Sequence, residues 1–236
     1  MVQALLIALT LLYSSLAAGA AETRVAADLE LVLAVDASGS VDENEFKLQL
    51  SGIAAAFRDE EVQNAIISGP RARIAVLVEV WADSSTQKDE TEWFILANAA
   101  DCKRFANLVE HLPRRVEGGT GIGSAIARAV RLMQYNAIDA PRQVVDVSGD
   151  GIETPIREDV GILLPQARAM ADSLHVVVNG LAITNEVQDL DIYYRDDVIT
   201  GPGSFVMKAA DYVDFREAVR AKLIREIAAS VSLLMR

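Results

Sequence analysis

The segment Asp28–Val35 (DLELVLAV) constrains the fold more than any other stretch of the chain. It is apolar at almost every position and stops abruptly at Asp36. A strand with one face in solvent alternates apolar and polar residues, whereas an unbroken apolar run is buried on both faces. Such a strand needs a helical layer above and below its sheet, so it belongs in the middle of an α/β fold.

The rest of the chain supplies those layers. Asp42 and Glu45 read as the N-cap and N3 of a helix. Phe46, Leu50, Ile53 and Phe57 follow on one helical face. Arg73–Trp81 (RIAVLVEVW) is a second strand. Thr91–Ala97 (TEWFILA) is a third, and the short polar turn leading to it calls for an antiparallel pair at the sheet edge. Asp101–His111 reads as helix. Gly118–Gly123 (GGTGIG) is a glycine loop feeding a helix with Ile122, Ile126, Val130 and Met133 on one side. The strand Gln143–Val147 runs into Ser148-Gly149-Asp150-Gly151. Glu158–Ser173 is mostly helical, with Pro165 either interrupting the helix or opening its second half. Leu174–Ile183 (LHVVVNGLAI) is another buried strand, in which His175 reads as a core histidine. Residues 184–203 are acidic and loop-like, and Ser204–Lys208 is a last short strand. Asp211 caps a final helix whose Phe215, Val219, Leu223 and Ile227 share a face. The expectation is one doubly wound α/β domain, with a mostly parallel central sheet, one antiparallel edge strand and helices on both faces.

The N-terminal residues 2–21 carry no charged side chain. Leu5–Leu12 is strongly apolar and is followed by small residues, with Ala18-Gly19-Ala20 as an A-x-A cleavage site. This is the pattern of a secretory signal over residues 1–20, and left uncut it is long enough to span a bilayer. Either way the domain, residues 21–236, works outside the cytoplasm. It is periplasmic or secreted, or it is anchored, with membrane contact only through this segment. A formal net charge of −12 opposes a nucleic-acid backbone or an anionic lipid surface as partner. The single cysteine, Cys102, excludes an intrachain disulfide and a Cys-rich zinc module, and reads as a passive thiol. Only His111 and His175 are available, which argues against a multi-histidine metal site.

Three loops carry the chemistry. Asp36-Ala37-Ser38-Gly39-Ser40 follows the first strand, Thr120 sits in the glycine loop, and Asp150 follows the strand from Gln143. In a doubly wound sheet, loops at the carboxyl ends of central strands meet where the winding reverses. Asp36, Ser38, Ser40, Thr120 and Asp150 would gather there as hard oxygen donors, suited to Mg²⁺ or Mn²⁺ and less to Ca²⁺. Two carboxylates only balance a divalent ion, which leaves it electrophilic and open to an outside oxygen.

Together these elements resemble the von Willebrand factor A domain and its metal-ion-dependent adhesion site. The family pattern is D-x-S-x-S, a distant Thr, and a distant Asp followed by Gly. Asp36, Ser38 and Ser40 match the first element, Thr120 the second, and Asp150-Gly151 the third. In particular the chain resembles a bacterial branch of secreted A-domain proteins that forms a domain-of-unknown-function family. It departs from most A domains at the third element, where Ser148-Gly149-Asp150-Gly151 replaces T-D-G. The extra glycine leaves direct or indirect coordination by Asp150 open.

The resemblance implies that Ser38 and Ser40 bind the metal directly, and that Asp36, Thr120 and Asp150 do so directly or through water. It implies an open position that accepts an Asp or Glu carboxylate from an unidentified partner protein, and no catalysis. In some A domains the last helix slides as the metal loops rearrange, and Asp211–Ala228 would be that helix here. The alternative is a Mg²⁺-dependent hydrolase, such as a phosphatase, using the same oxygens. Against it, no histidine lies in the metal loops, Ser38 has no G-x-S-x-G elbow, and Asp36 lacks a second Asp two residues on. Arg142 and Arg157 are its candidate phosphate clamps. A third reading is a structural envelope protein whose metal only stiffens loops. The glycine loop is a poor phosphate loop, since Ser124-Ala125 stands where a Walker A motif has Lys-Ser/Thr. Glu186, Asp189, Asp191, Asp196 and Asp197 lack EF-hand spacing and read as solvated surface. Trp81, Tyr193 and Tyr194 read as packing.

Overall fold

A computed structural model of the chain describes residues 24–85, 89–154 and 161–234, with side chains as far as 228. The expected signal or anchor at residues 1–20 and the candidate clamp Arg157 lie outside the described residues.

The central sheet has seven strands, in the order β4-β3-β2-β7-β8-β9 with β5 also paired to β3. They are β2 (Leu29–Asp36), β3 (Ile74–Trp81), β4 (Asp89–Glu90), β5 (Phe94–Leu96), β7 (Gln143–Gly149), β8 (Val177–Ile183) and β9 (Val206–Ala209). All pairings are parallel except those of β4 and β5 with β3. A small parallel pair, β1 (Val25–Ala26) with β6 (Ile138–Asp139), sits apart from it. The chain winds from β2 to β3 in one direction and from β7 through β8 to β9 in the other. The reversal falls between β2 and β7, which pair from Glu30↔Gln143 to Val35↔Ser148.

Alternation along each strand sorts side chains between two cores. Leu29, Leu31, Leu33 and Val35 of β2 pack under α1 (Glu43–Arg58), α2 (Glu60–Ile67), α3 (Ala99–Val109) and the last helix α7 (Phe215–Leu234). Val32 and Ala34 face the opposite layer, α4 (Ile122–Gln134) and α5 (Leu164–Ser173). The predicted stripes are the buried faces: Phe46, Leu50, Ile53 and Phe57 on α1, and Phe215, Val219, Leu223 and Ile227 on α7. Asp42 and Glu45 form the expected capping box, with the Asp42 side chain on the Glu45 amide and the Glu45 side chain on the Asp42 amide.

Four expectations need correction. His175 is not in a core strand; it is exposed, with φ +58°, in the turn between α5 and β8. The turn that reverses the chain needs a left-handed residue, and the apolar run that becomes β8 begins only at Val176. The stretch 184–203 is not all loop. It holds a short helix, α6 (Leu190–Tyr193), continued by a π-helical turn, Tyr194–Val198. Leu190, Tyr194 and Val198 recur every fourth residue and are fully buried, a helical stripe hidden among acidic neighbours. Third, β7 runs on through Ser148 and Gly149, so the third loop starts only at Asp150. The expected helix over Glu158–Ser173 is present only as α5 from Leu164, with Pro165 in its first turn; residues 161–163 are not helical, and 158–160 lie outside the described residues.

Candidate metal centre

Asp36 closes β2 and Asp150 follows directly on β7, so the two aspartates meet at the point where the winding reverses. Asp36 is fully buried, and its Oδ1 accepts from the Ser38 amide at 2.7 Å, turning the chain back over the strand end. That turn brings the Ser38 and Ser40 hydroxyls within 3.3 Å of each other. Ser40 donates to Asp150 Oδ1 at 2.6 Å, joining residues 110 apart in sequence. Behind the turn, Gln49 donates to the Asp36 carbonyl, and Arg114 donates to the carbonyls of Ala37 and Ser38.

The glycine loop is tied to this turn by the Gly39 amide, which donates to the Gly118 carbonyl at 2.7 Å. Gly118 has φ +122°, and a Cβ there would stand 2.8 Å from Cβ of Asp83, so the position excludes a side chain. Thr120 is held to the third loop through Thr154: its amide donates to Thr154 Oγ1, and its carbonyl accepts from the Thr154 amide, each at 2.9 Å. Thr120 Oγ1 lies 3.3 Å from where a Cβ on Gly151 would be. The structure therefore gathers the loops of Asp36, Ser38, Ser40, Thr120 and Asp150 into one patch.

Electrostatics set this patch apart. Burial pushes the Asp36 carboxyl up to about 7; the Ser38 contacts and the Asp150 backbone oppose this, and the Asp150 charge adds to it. Among the described residues no lysine or arginine forms an ion pair with Asp36 or Asp150. Asp36 Oδ2 is buried without a hydrogen-bond partner. Buried charge is normally paired or bound to metal, and a cation would meet the unpartnered Asp36 Oδ2 here. The donor set fits a hard one. Ser40 commits its proton to Asp150, which leaves the lone pairs of its hydroxyl to a cation. Among the described residues no three His, Cys, Asp or Glu side chains cluster to hold a metal, so a centre here rests on hydroxyls as much as carboxylates.

Two residues at the site lay outside the sequence expectation. Tyr212 donates to Asp150 Oδ2 at 2.9 Å, so both oxygens of Asp150 accept hydrogen bonds. Tyr194, from the π-helical turn, is fully buried and approaches Gly149, beside Asp36 Oδ2, from the other side of the sheet. Its place as every fourth residue after Leu190 was the available signal. The clamp candidate Arg142 is misplaced for phosphate: it precedes β7 and donates to the Glu226 carbonyl, at the opposite end of the sheet. The acidic stretch behaves as surface, with Asp191 paired to Lys208 and Asp196 to Arg195. Cys102 is buried, and burial, with Asp101 adding, pushes its thiol up to about 11.

The fold is that of the von Willebrand factor A domain. The chain is similar over 87% of its length to proximal thread matrix protein 1 of the mussel byssus, with TM-score 0.55, 14% identity and 47% of that chain covered. It matches the pilus adhesin SpaC of Lactobacillus rhamnosus GG over 86% of its length, with TM-score 0.56, 12% identity and 31% of that chain covered. It matches the vWF domain of the type V pili tip protein Mfa5 of Porphyromonas gingivalis over 89%, with TM-score 0.54, 9% identity and 97% of that chain covered. It thus spans about half of the mussel protein and about a third of the adhesin. In one structure the mussel protein has a zinc-occupied MIDAS motif. No curated protein matches the chain. The family described as "Protein of unknown function (DUF1194)" matches residues 26–231, from β1 into α7, and the chain belongs to that family.

Proposed function

We propose that this chain is a metal-dependent protein-binding module acting outside the cytoplasm, as a periplasmic or secreted domain or one tethered by its N-terminal segment. The observation that carries the reading is the pair of buried aspartates, joined through Ser38 and Ser40, with no cationic side chain paired to either among the described residues. Mg²⁺ or Mn²⁺ would supply that charge and a Lewis-acidic position for an outside oxygen. Ser38 and Ser40 would hold it directly, and Asp36, Thr120 and Asp150 directly or through water. Because two carboxylates only balance a dication, an Asp or Glu carboxylate of a partner protein is the fitting guest. Likeness to a pilus adhesin, to a pilus tip protein and to a mussel protein with a zinc-filled MIDAS motif supports an adhesion-type role. A binding role is favoured over hydrolysis, because the site's hydroxyls and carboxylates bond to one another and Arg142 lies at the far end of the sheet.

The test is calorimetric titration of the chain with Mg²⁺ and Mn²⁺, beside Asp36→Ala. The wild type should bind one ion and the variant none, with the variant still folded by circular dichroism. Capture of a partner in Mg²⁺, lost in EDTA and with the variant, would extend the reading to protein binding. Equal ion affinity in the two proteins would remove its basis.

A further inference from the structure

The departure from the T-D-G pattern has a structural counterpart. Alternation along β7 turns Gly149 toward the α4/α5 side of the sheet and Asp150 toward α7. A Cβ on Gly149 would lie 2.6 Å from Asp36 Oδ2 and 2.8 Å from the Tyr194 hydroxyl. One strand over, a Cβ on Gly180 of β8 would lie 2.7 Å from Tyr194 Cδ1. Two glycines on neighbouring strands thus floor the space of one tyrosine, Gly180 beneath the ring and Gly149 beneath the hydroxyl. At the end of that space stand two polar atoms without partners. The Tyr194 hydroxyl and Asp36 Oδ2 are both buried and both lack a hydrogen bond. On the other face of β7 the matching contact is complete, with Tyr212 donating to Asp150 Oδ2 at 2.9 Å.

We infer that Tyr194 is a positioning residue of the proposed metal centre: with a cation bound, its hydroxyl would close the gap to Asp36 Oδ2, donate to it and fix the orientation in which that carboxylate meets the cation. Each aspartate then has its own tyrosine, Tyr194 for Asp36 and Tyr212 for Asp150. Gly149 is present because any side chain there would fill the gap the phenol must cross. Partners that orient a ligand in this way typically change metal affinity by 10–100-fold. The inference rests on the proposed metal site and goes beyond it, to a residue outside the five-donor pattern.

The test is Mn²⁺ titration of the full chain by calorimetry, for the wild type, Tyr194→Phe, Gly149→Ala and the double variant, with Asp36→Ala as control. Tyr194→Phe keeps the ring over Gly180 and removes only the hydroxyl. It should melt like the wild type in EDTA and bind Mn²⁺ roughly 10–100-fold more weakly. Near-ultraviolet difference absorption on adding Mn²⁺ should show a tyrosine signal in the wild type that shrinks in Tyr194→Phe, a change that packing alone would not produce. Gly149→Ala should also weaken binding, and its loss should add less than fully to that of Tyr194→Phe, because both act on one contact. Wild-type affinity and an unchanged difference spectrum in Tyr194→Phe, or fully additive losses, would overturn the inference and leave the metal site standing. Absence of Mn²⁺ binding by the wild type would overturn both.

Discussion

Replacing Lys222 by methionine tests how the last helix is fastened. The Lys222 side chain is fully buried, and its Nζ lies 2.5 Å from Asp146 Oδ1 on β7 and 2.6 Å from Glu226 Oε1 on its own helix. Glu226 Oε1 also accepts from Asn179 of β8, whose Oδ1 takes the Phe205 amide. The ammonium additionally lies 5.2 Å from the Phe205 ring centre. Methionine keeps nearly the volume of lysine, so the cavity contribution is small. What remains is two buried carboxylates without their shared cation, and removing one partner of such a group costs about 3–5 kcal/mol. At about 2–4 °C per kcal/mol for a domain of this size, the melting temperature should fall by roughly 6–20 °C.

The pH dependence follows from Asp146. Burial raises its carboxyl from 3.8 to about 7; the Glu226 charge adds to this, and Lys222 opposes it. A folded-state value above the unfolded one means that stability from this group is full below about pH 4 and is lost as pH climbs through 7. Without Lys222 the shift grows, so the variant should lose more at pH 8 than at pH 5. Urea denaturation in EDTA at both values measures it, with Asp36 free of metal in either protein. A loss under about 1 kcal/mol, or one equal at the two pH values, would refute the reasoning.

Three further outcomes are expected. Asp42→Ala removes the cap from α1, two residues after Ser40, and should cost about 1 kcal/mol in urea denaturation without abolishing folding. Mg²⁺ at a hundred times its dissociation constant should stabilise the wild type by about 2.7 kcal/mol, reversibly with EDTA, and leave Asp36→Ala unchanged. Cys102 is 1% exposed with its thiol pushed up to about 11, so a thiol reagent at pH 8 should label it only at the rate of unfolding, and fast labelling of the native chain would contradict its burial.

Much of this architecture was readable from the chain. The strand Asp28–Val35 showed as apolar on both faces, and the stripes of α1 and α7 showed at helical spacing, because burial alone sets those patterns. The five candidate donors stood out because each sits at the boundary of a periodic element, and the structure brings their loops together. What escaped was polar burial. Lys222 and Glu226 are a Lys and a Glu four apart on a helix, which reads as a solvated pair, yet both are 0% exposed, because Asp146 and Asn179 face them from neighbouring strands. Tyr194 escaped because Asp189, Asp191, Asp196 and Asp197 surround its short stripe, and a four-residue helix gives periodicity little to work on. The strand order escaped because pairing partners distant in the chain leave no local mark.

The same alternation that sorts Gly149 from Asp150 links the candidate metal centre to the last helix. Asp146 and Asp150 point to the α7 side of β7, the first toward Lys222 within α7 and the second toward Tyr212 just before it. The helix is therefore held at its entry by the centre and, further along, by a buried ion pair. A slide of one helical turn is about 5.4 Å, enough to carry Lys222 away from Asp146 and strand a carboxylate in the core, at about 3–5 kcal/mol. A guest at the centre could drive that slide only by binding the shifted form more tightly by the same amount, a preference of about 150-fold to about 4,000-fold. The sliding helix that the family resemblance suggests is thus opposed here by a feature of this chain's own core. Beyond the slowing that global stabilisation gives every core amide, amide hydrogen exchange along α7 should show no change specific to Mg²⁺ in the wild type, and should show one only once Lys222→Met removes the pair. Faster exchange of α7 with Mg²⁺ in the wild type, while the strands of the sheet are slowed, would show that the ion pair does not hold the helix.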